Sequence, residues 1–124
     1  MKCVISGSRN ITDYQLLLDA VAESNFEITE VVSGACLNED YGNAYSKGVD
    51  GLGERYAHEN EIPVKFFPAD WSVHGRAGGP IRNAKMAEYA DALIAIKKSS
   101  SAGTANMIRC ANEQGLKVYV KHIK

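Results

Sequence analysis

Several functional classes are missing from this sequence by what it lacks. Its three cysteines, Cys3, Cys36 and Cys110, are far apart and form no Cys-x-x-Cys pair, so neither a disulfide framework nor a zinc site is indicated. His58, His74 and His122 lack the spacing of metal ligands. No apolar run approaches the length that spans a bilayer, and the sequence opens on an apolar strand rather than a secretory leader. A cytoplasmic location, with no membrane partner, is the expectation. Charge of one sign is also missing: 14 Lys and Arg face 15 Asp and Glu, for a formal net charge of −1. The basic residues are scattered, which argues against a nucleic-acid partner, whose affinity would come from clustered cations. There is no GxxxxGK[ST] loop, which excludes a P-loop NTPase, and no GxGxxG after the first strand, which argues against a dinucleotide dehydrogenase. Ser6, Ser8 and Ser33 have no evident His and Asp partners for a hydrolase triad.

What is present is the composition of an ordinary globular domain, 45% hydrophobic and 23% charged over 124 residues, enough for one domain spanning 1–124. Short apolar runs alternate with helical patterns throughout. Strands are predicted at Lys2–Ser6, Glu30–Ser33, Pro63–Phe67, Ala92–Ile96 and Lys117–Val120. Thr12-Asp13-Tyr14-Gln15 reads as a capping box opening a first helix. Asp50 reads as the cap of a second, running to about Asn60; Pro80 sits in the first turn of a third, and Thr104–Gln114 is a fourth. Alternation of this kind predicts an α/β domain with a mostly parallel five-stranded sheet covered on both faces. Cys3 lies in an apolar strand and Cys110 on an apolar helix side, so both are expected as buried thiols. The polar segment Cys36–Lys47, with two tyrosines and two glycines, reads as an inserted surface loop.

In an open sheet of order 3-2-1-4-5, ligands bind beyond the carboxyl ends of the strands, where the order reverses between the first and fourth. Those ends carry Ser6-Gly7-Ser8-Arg9, Ser33-Gly34, Ala69-Asp70-Trp71, the run His74–Asn83 and Ser99–Thr104. A phosphate needs converging backbone N–H groups and side chains small enough to let it approach. Gly103-Thr104 offers free amides, a hydroxyl and the positive end of a helix dipole, and Gly78-Gly79-Pro80 offers a second such end. Arg82 adds a planar guanidinium, and Asn83 beside it suits sugar hydroxyls or a phosphate oxygen. Trp71 is placed either to stack on a base or to pack in the core; Asp70 and Asp50 are candidates for contact with a ribose. The plainer alternative is that the glycines only end strands and that Arg82 pairs with a surface acid.

Six blocks in order carry a resemblance: VISGSR at Val4–Arg9, VVSG at Val31–Gly34, GVDGLGERYAHE at Gly48–Glu59, FPADW at Phe67–Trp71, GRAGGPIRNAKM at Gly75–Met86 and GTANMI at Gly103–Ile108. Together they resemble the SLOG superfamily, the Rossmann-like group that contains the lonely-guy phosphoribohydrolases and the Smf/DprA proteins. The nearest branch is the small YspA-like (cpYpsA-related) proteins, many of them phage- or plasmid-encoded. The resemblance implies a Rossmann-like three-layer sandwich, a nucleotide or ADP-ribose-derived ligand, and a homodimer paired through helices beside the site. In the lonely-guy enzymes an arginine and a glutamate carry cleavage. Arg82 matches the place of the arginine, while Asn106 stands where the glutamate would be. Asparagine cannot serve as a carboxylate base or steady a developing oxocarbenium charge as an anion would. The expectation is therefore a protein that senses or sequesters its ligand. Gly7, Ser8, Arg9, Gly34, Asp70, Trp71, Gly79, Arg82, Asn83, Gly103, Thr104 and Asn106 would line the site, with no metal and no cofactor. The alternative is a phosphoribohydrolase or nucleotide N-glycosidase, with Arg82 holding phosphate and Asp50 or Asp70 as acid–base group. Tyr41 and Tyr45 on the insert would fold over the ligand or extend a subunit contact.

Overall fold

Cys3, Val4 and Ile5 are each at most 1% exposed, and the run Ala92–Ile96 is fully buried. Consecutive buried residues cover both sides of a strand, so these two segments must lie at the centre of a sheet with helices on each face. The computed structural model, which describes residues 1–34, 45–98 and 101–123 (Trp71 by its backbone alone), has that arrangement. In chain order the elements are β1 (Lys2–Gly7), α1 (Tyr14–Ser24), β2 (Glu30–Ser33), α2 (Gly48–Glu59), β3 (Val64–Phe66) and α3 (Trp71–His74). A 3-10 turn (Gly75–Ala77) then leads into α4 (Gly78–Tyr89), β4 (Ala92–Lys98), α5 (Ala102–Glu113) and β5 (Lys117–Ile123).

All four strand pairings are parallel and the order is β3-β2-β1-β4-β5, as expected for a Rossmann-like sandwich. One face packs Leu17 and Ala20 of α1 and Val49 and Ala57 of α2 against Cys3, Ile5, Val31 and Ile94. The other packs Met86 and Ala87 of α4 and Met107, Cys110 and Ala111 of α5 against Val4, Val32, Leu93 and Ala95. Side-chain alternation along β1 sends Cys3 and Ile5 to one cluster and Val4 to the other. Cys3 and Cys110 are buried, as expected; Cys36 lies outside the described residues. No described helix is long and apolar enough to cross a membrane.

Three local expectations are corrected. The cap of α1 is Asp13, not Thr12: its carboxylate accepts from the Gln15 amide at 3.0 Å, while the Gln15 side chain turns forward to Asp19 at 2.9 Å. An ionised acceptor is a stronger partner for an open amide than a hydroxyl, which moves the helix start by one residue. Asp50 is not a cap either. Lys47 holds that position, and Asp50 sits inside the first turn of α2, where its charge complements the helix dipole. Thr104 likewise lies within the first turn of α5, which starts at Ala102 after Ser101.

Candidate functional site

The strand order reverses between β1 and β4, and Gly7 pairs with Ile96 at that point. A Cβ on Gly7 would strike the Ile96 carbonyl oxygen and come within 2.6 Å of Val49, so glycine is required there for packing. Gly48 opens α2 with φ +62°, and its Cβ would lie 2.5 Å from both Ser8 O and Arg9 Cα. The loop after β1 therefore rests directly on the start of α2. The Ser8 carbonyl accepts from Ile11 N and Val49 N, each at 3.4 Å. The Ser8 side chain is different. The residue is 8% exposed, and among the described residues its Oγ is the buried side-chain polar atom without a hydrogen-bond partner. Arg9 beside it is exposed.

On the other face a chain of hydrogen bonds joins the end of β2 to α4 and α5. Arg82 Nη1 donates to the carbonyl of Gly34, just beyond β2, and Arg82 Nε donates to Asn83 Oδ1 at 2.9 Å. Asn83 Nδ2 then donates to Asn106 Oδ1 at 2.9 Å, tying α4 to α5. The position of a Cβ on Gly34 lies 2.5 Å from Arg82 Nη1 and 3.1 Å from Asp50 Oδ2, so Asp50 and Arg82 meet over this glycine. Thr104 is 3% exposed, its hydroxyl 2.7 Å from that of Ser101. Gly103 is exposed, and nothing lies within 4 Å of where its Cβ would be. The side of α5 at Gly103 thus has room for a neighbouring group, and the helix N-terminus carries the positive end of the dipole. Gly79 is buried in the first turn of α4, where no side chain caps the helix.

Asp70 is not bonded to this cluster. Its Oδ1 accepts from Ser72 Oγ at 2.7 Å and Val73 N at 3.1 Å, closing the first turn of the short α3. The hydroxyl of Ser72 and then the Val73 amide hold its carboxyl below the ordinary range, so it is an anion at neutral pH. Tyr41 lies outside the described residues. The ring of Tyr45 meets that of His58 edge-on with centroids 6.3 Å apart. Both line a cavity of about 450 Å³ with Glu54, Ile62, Val64 and Phe66, beside the edge strand β3 and away from the β1–β4 reversal.

Glu54 escaped the sequence reading. It is 4% exposed, and its carboxylate accepts from Ser33 Oγ at 2.6 Å and Ser46 N at 2.9 Å. A signal was available: Glu54 follows Asp50 by four residues and shares its helix face, so the two carboxylates reach the end of β2 together. The Asn83–Asn106 bond had no such signal, since nothing in either segment names the other. Among the described residues no group of His, Cys, Asp or Glu converges as metal ligands would.

The "Gene 61 protein" of Mycobacterium phage D29 is 29% identical over 127 residues, spanning 94% of this chain and 93% of that relative. No solved structure matches the chain. The family model described as "YspA, cpYpsA-related SLOG family" matches residues 1–74, which takes in Ser8, Arg9, Gly34, Asp50 and Glu54 and ends before α4. With its first three strands and the loops after them matched, this chain belongs to the YspA, cpYpsA-related SLOG family.

Proposed function

We propose that this chain, acting as one domain, binds a phosphate-bearing small molecule derived from a nucleotide, of the ADP-ribose kind, and senses or sequesters it. The observation that carries the reading is the Ser8 hydroxyl, buried without a partner at the carboxyl end of β1. Leaving a buried hydroxyl unsatisfied costs about 1–3 kcal/mol, a cost that a bound phosphate oxygen would remove. The open first turn of α5 with Thr104 supports it, as does Arg82, held at the end of β2 beside Asn83. In this reading the α5 amides and Thr104 take a phosphate and Arg82 neutralises it. Gly34 and Gly79 keep the approach clear. Arg9 and Asp70 reach the sugar and base; the side chain of Trp71 lies outside the described residues. Membership of the SLOG family supports a nucleotide-related ligand. A cytoplasmic homodimer completes the proposal.

Calorimetry with ADP-ribose, cyclic ADP-ribose isomers, NAD and nucleoside monophosphates tests it. At least one should bind, and Ser8→Ala should weaken that binding about tenfold while leaving the free protein as stable or more so. Silence with every compound would end the proposal. A second reading, hydrolysis of an N-glycosidic bond, is favoured by one observation: the carboxylate of Asp50 lies beside Arg82. Free base released from AMP by the wild type, and not by Asp50→Asn, would establish it. Asp70, an anion closing α3, fits the role of general acid less well.

A further inference from the structure

Glu54 carries a carboxylate into the interior that no cation of the described residues answers. The residue is 4% exposed and takes part in none of the ion pairs among them. Arg55, next in the chain, is turned to Glu59 at 2.9 Å and lies over the Tyr14 ring, and the Lys65 ammonium faces the Phe67 ring at 5.9 Å. A carboxylate has about four acceptor positions. Ser33 Oγ occupies one on Oε2 and the Ser46 amide one on Oε1, which leaves a position on each oxygen. The same two partners fix where the carboxylate stands. Ser46 follows Tyr45 in the chain, and Ser33 is the register partner of Phe66. Tyr45 and Phe66 are walls of the cavity of about 450 Å³ that Glu54 also lines, so the carboxylate is held between an aromatic wall on either side.

We propose that this cavity is a second binding site, independent of the phosphate site, and that it takes a small organic cation whose charged end is a guanidinium. Glu54 and His58 stand one turn apart on α2, and Val64 and Phe66 share a face of β3. With Ile62 they enclose a space of the size that admits a small molecule. The Tyr45 ring is braced edge-on by His58, their centroids 6.3 Å apart. Phe66 is half-exposed, so a ligand reaches that wall from solvent. A neutral apolar ligand would leave the buried carboxylate unanswered, and an anion would be repelled by it. A guanidinium meets every requirement. Its two parallel N–H groups match one open position on each carboxylate oxygen, its flat faces stack on Tyr45 and Phe66, and it sheds water more readily than an ammonium. The apolar remainder of the ligand would lie against Ile62 and Val64.

An NMR titration of the isotope-labelled chain with butylguanidine, butylurea and butylamine is the test. Butylguanidine should shift the amides of Ser46, Phe66 and the Glu54 turn of α2, with a dissociation constant of about 1 mM or tighter. Butylurea has nearly the same shape without the charge and should bind about tenfold more weakly. Butylamine keeps the charge without the fork and should bind about threefold more weakly. In Glu54→Gln the affinity for butylguanidine should fall to that for butylurea, and Phe66→Ala should weaken it about threefold. Thermal unfolding shows whether each variant is folded; should Glu54→Gln fail to fold, the butylurea comparison on the wild type decides. Butylurea binding as tightly as butylguanidine, affinity retained in Glu54→Gln, or shifts confined to surface acids away from the cavity would overturn the proposal. Butylamine binding as tightly as butylguanidine would overturn the choice of guanidinium. Each of these results leaves the nucleotide titrations to stand or fall on their own.

Discussion

Ser33, the last residue of β2, donates its hydroxyl across 2.6 Å to Oε2 of Glu54 on α2. The other oxygen of that carboxylate accepts from the Ser46 amide at 2.9 Å, so one buried side chain fastens the end of β2 to the approach to α2. Hydrogen bonds to a charged group contribute about 1.5–3 kcal/mol each, and breaking these would strand a buried hydroxyl and an amide. Glu54→Ala should therefore lower unfolding stability in urea by about 3 kcal/mol, and Glu54→Gln, which keeps one acceptor, by about half as much. A loss below about 1 kcal/mol in Glu54→Ala would show that the contact is dispensable.

Two glycines of the site predict opposite outcomes. A methyl at position 34 would meet the far end of the Arg82 side chain and crowd Asp50 Oδ2, and the guanidinium would give up its bonds to Gly34 and Asn83 in moving aside, so Gly34→Ala should fold with a stability loss of about 1–3 kcal/mol. The displaced guanidinium should weaken ligand binding about tenfold. A methyl at position 103 meets nothing within 4 Å, so Gly103→Ala should gain up to about 1 kcal/mol from helix propensity. It should nevertheless bind ligand less well if the ligand lies against that side of the first turn, because the methyl would fill the space beside it. Unfolding midpoints and calorimetry on the same samples separate the two effects.

The carboxyl of Asp70 is held below its ordinary range by Ser72 and the Val73 amide. A depressed carboxyl stabilises the folded state above its unfolded-state pKa and ceases to do so as pH falls through the folded value. Asp70→Asn should therefore have a lower urea midpoint than the wild type at pH 7, with the gap closing as pH is taken below the carboxylate range. A gap independent of pH would mean that the charge of Asp70 plays no part in holding α3.

Burial raises the Cys3 thiol to about 12 and also raises that of Cys110. Thiolate is the reactive form, so both should resist iodoacetamide at pH 8 in the folded protein and react once it is denatured. Mass spectrometry of digested samples reads each cysteine separately. Rapid native labelling of Cys3 would contradict the burial of β1.

The fold was largely legible because its signals are local. Apolar runs mark β1 and β4, glycine closes β1 and β2, and helical periodicity between the strands leaves a parallel sheet as the consistent arrangement. Glycine and proline likewise marked where α4 and α5 begin. What escaped depends on distance in sequence. Glu54 reaches Ser33 over 21 residues and Asn83 reaches Asn106 over 23, and no periodicity encodes such partners. The α1 cap failed for a different reason: Thr12 and Asp13 are both good caps, and the choice rests on which reaches an open amide once the helix has packed.

The carbonyl of Ser8 holds Val49 of α2, which belongs to one layer of the sandwich, while Arg82 and Asn106 belong to the opposite one. A molecule gripped by the Ser8 hydroxyl and by those two residues would act as a rivet through the rim of the sheet, binding together two layers that the strands keep apart. Occupancy would then be registered by the whole domain as resistance to unfolding and proteolysis, without any moving part.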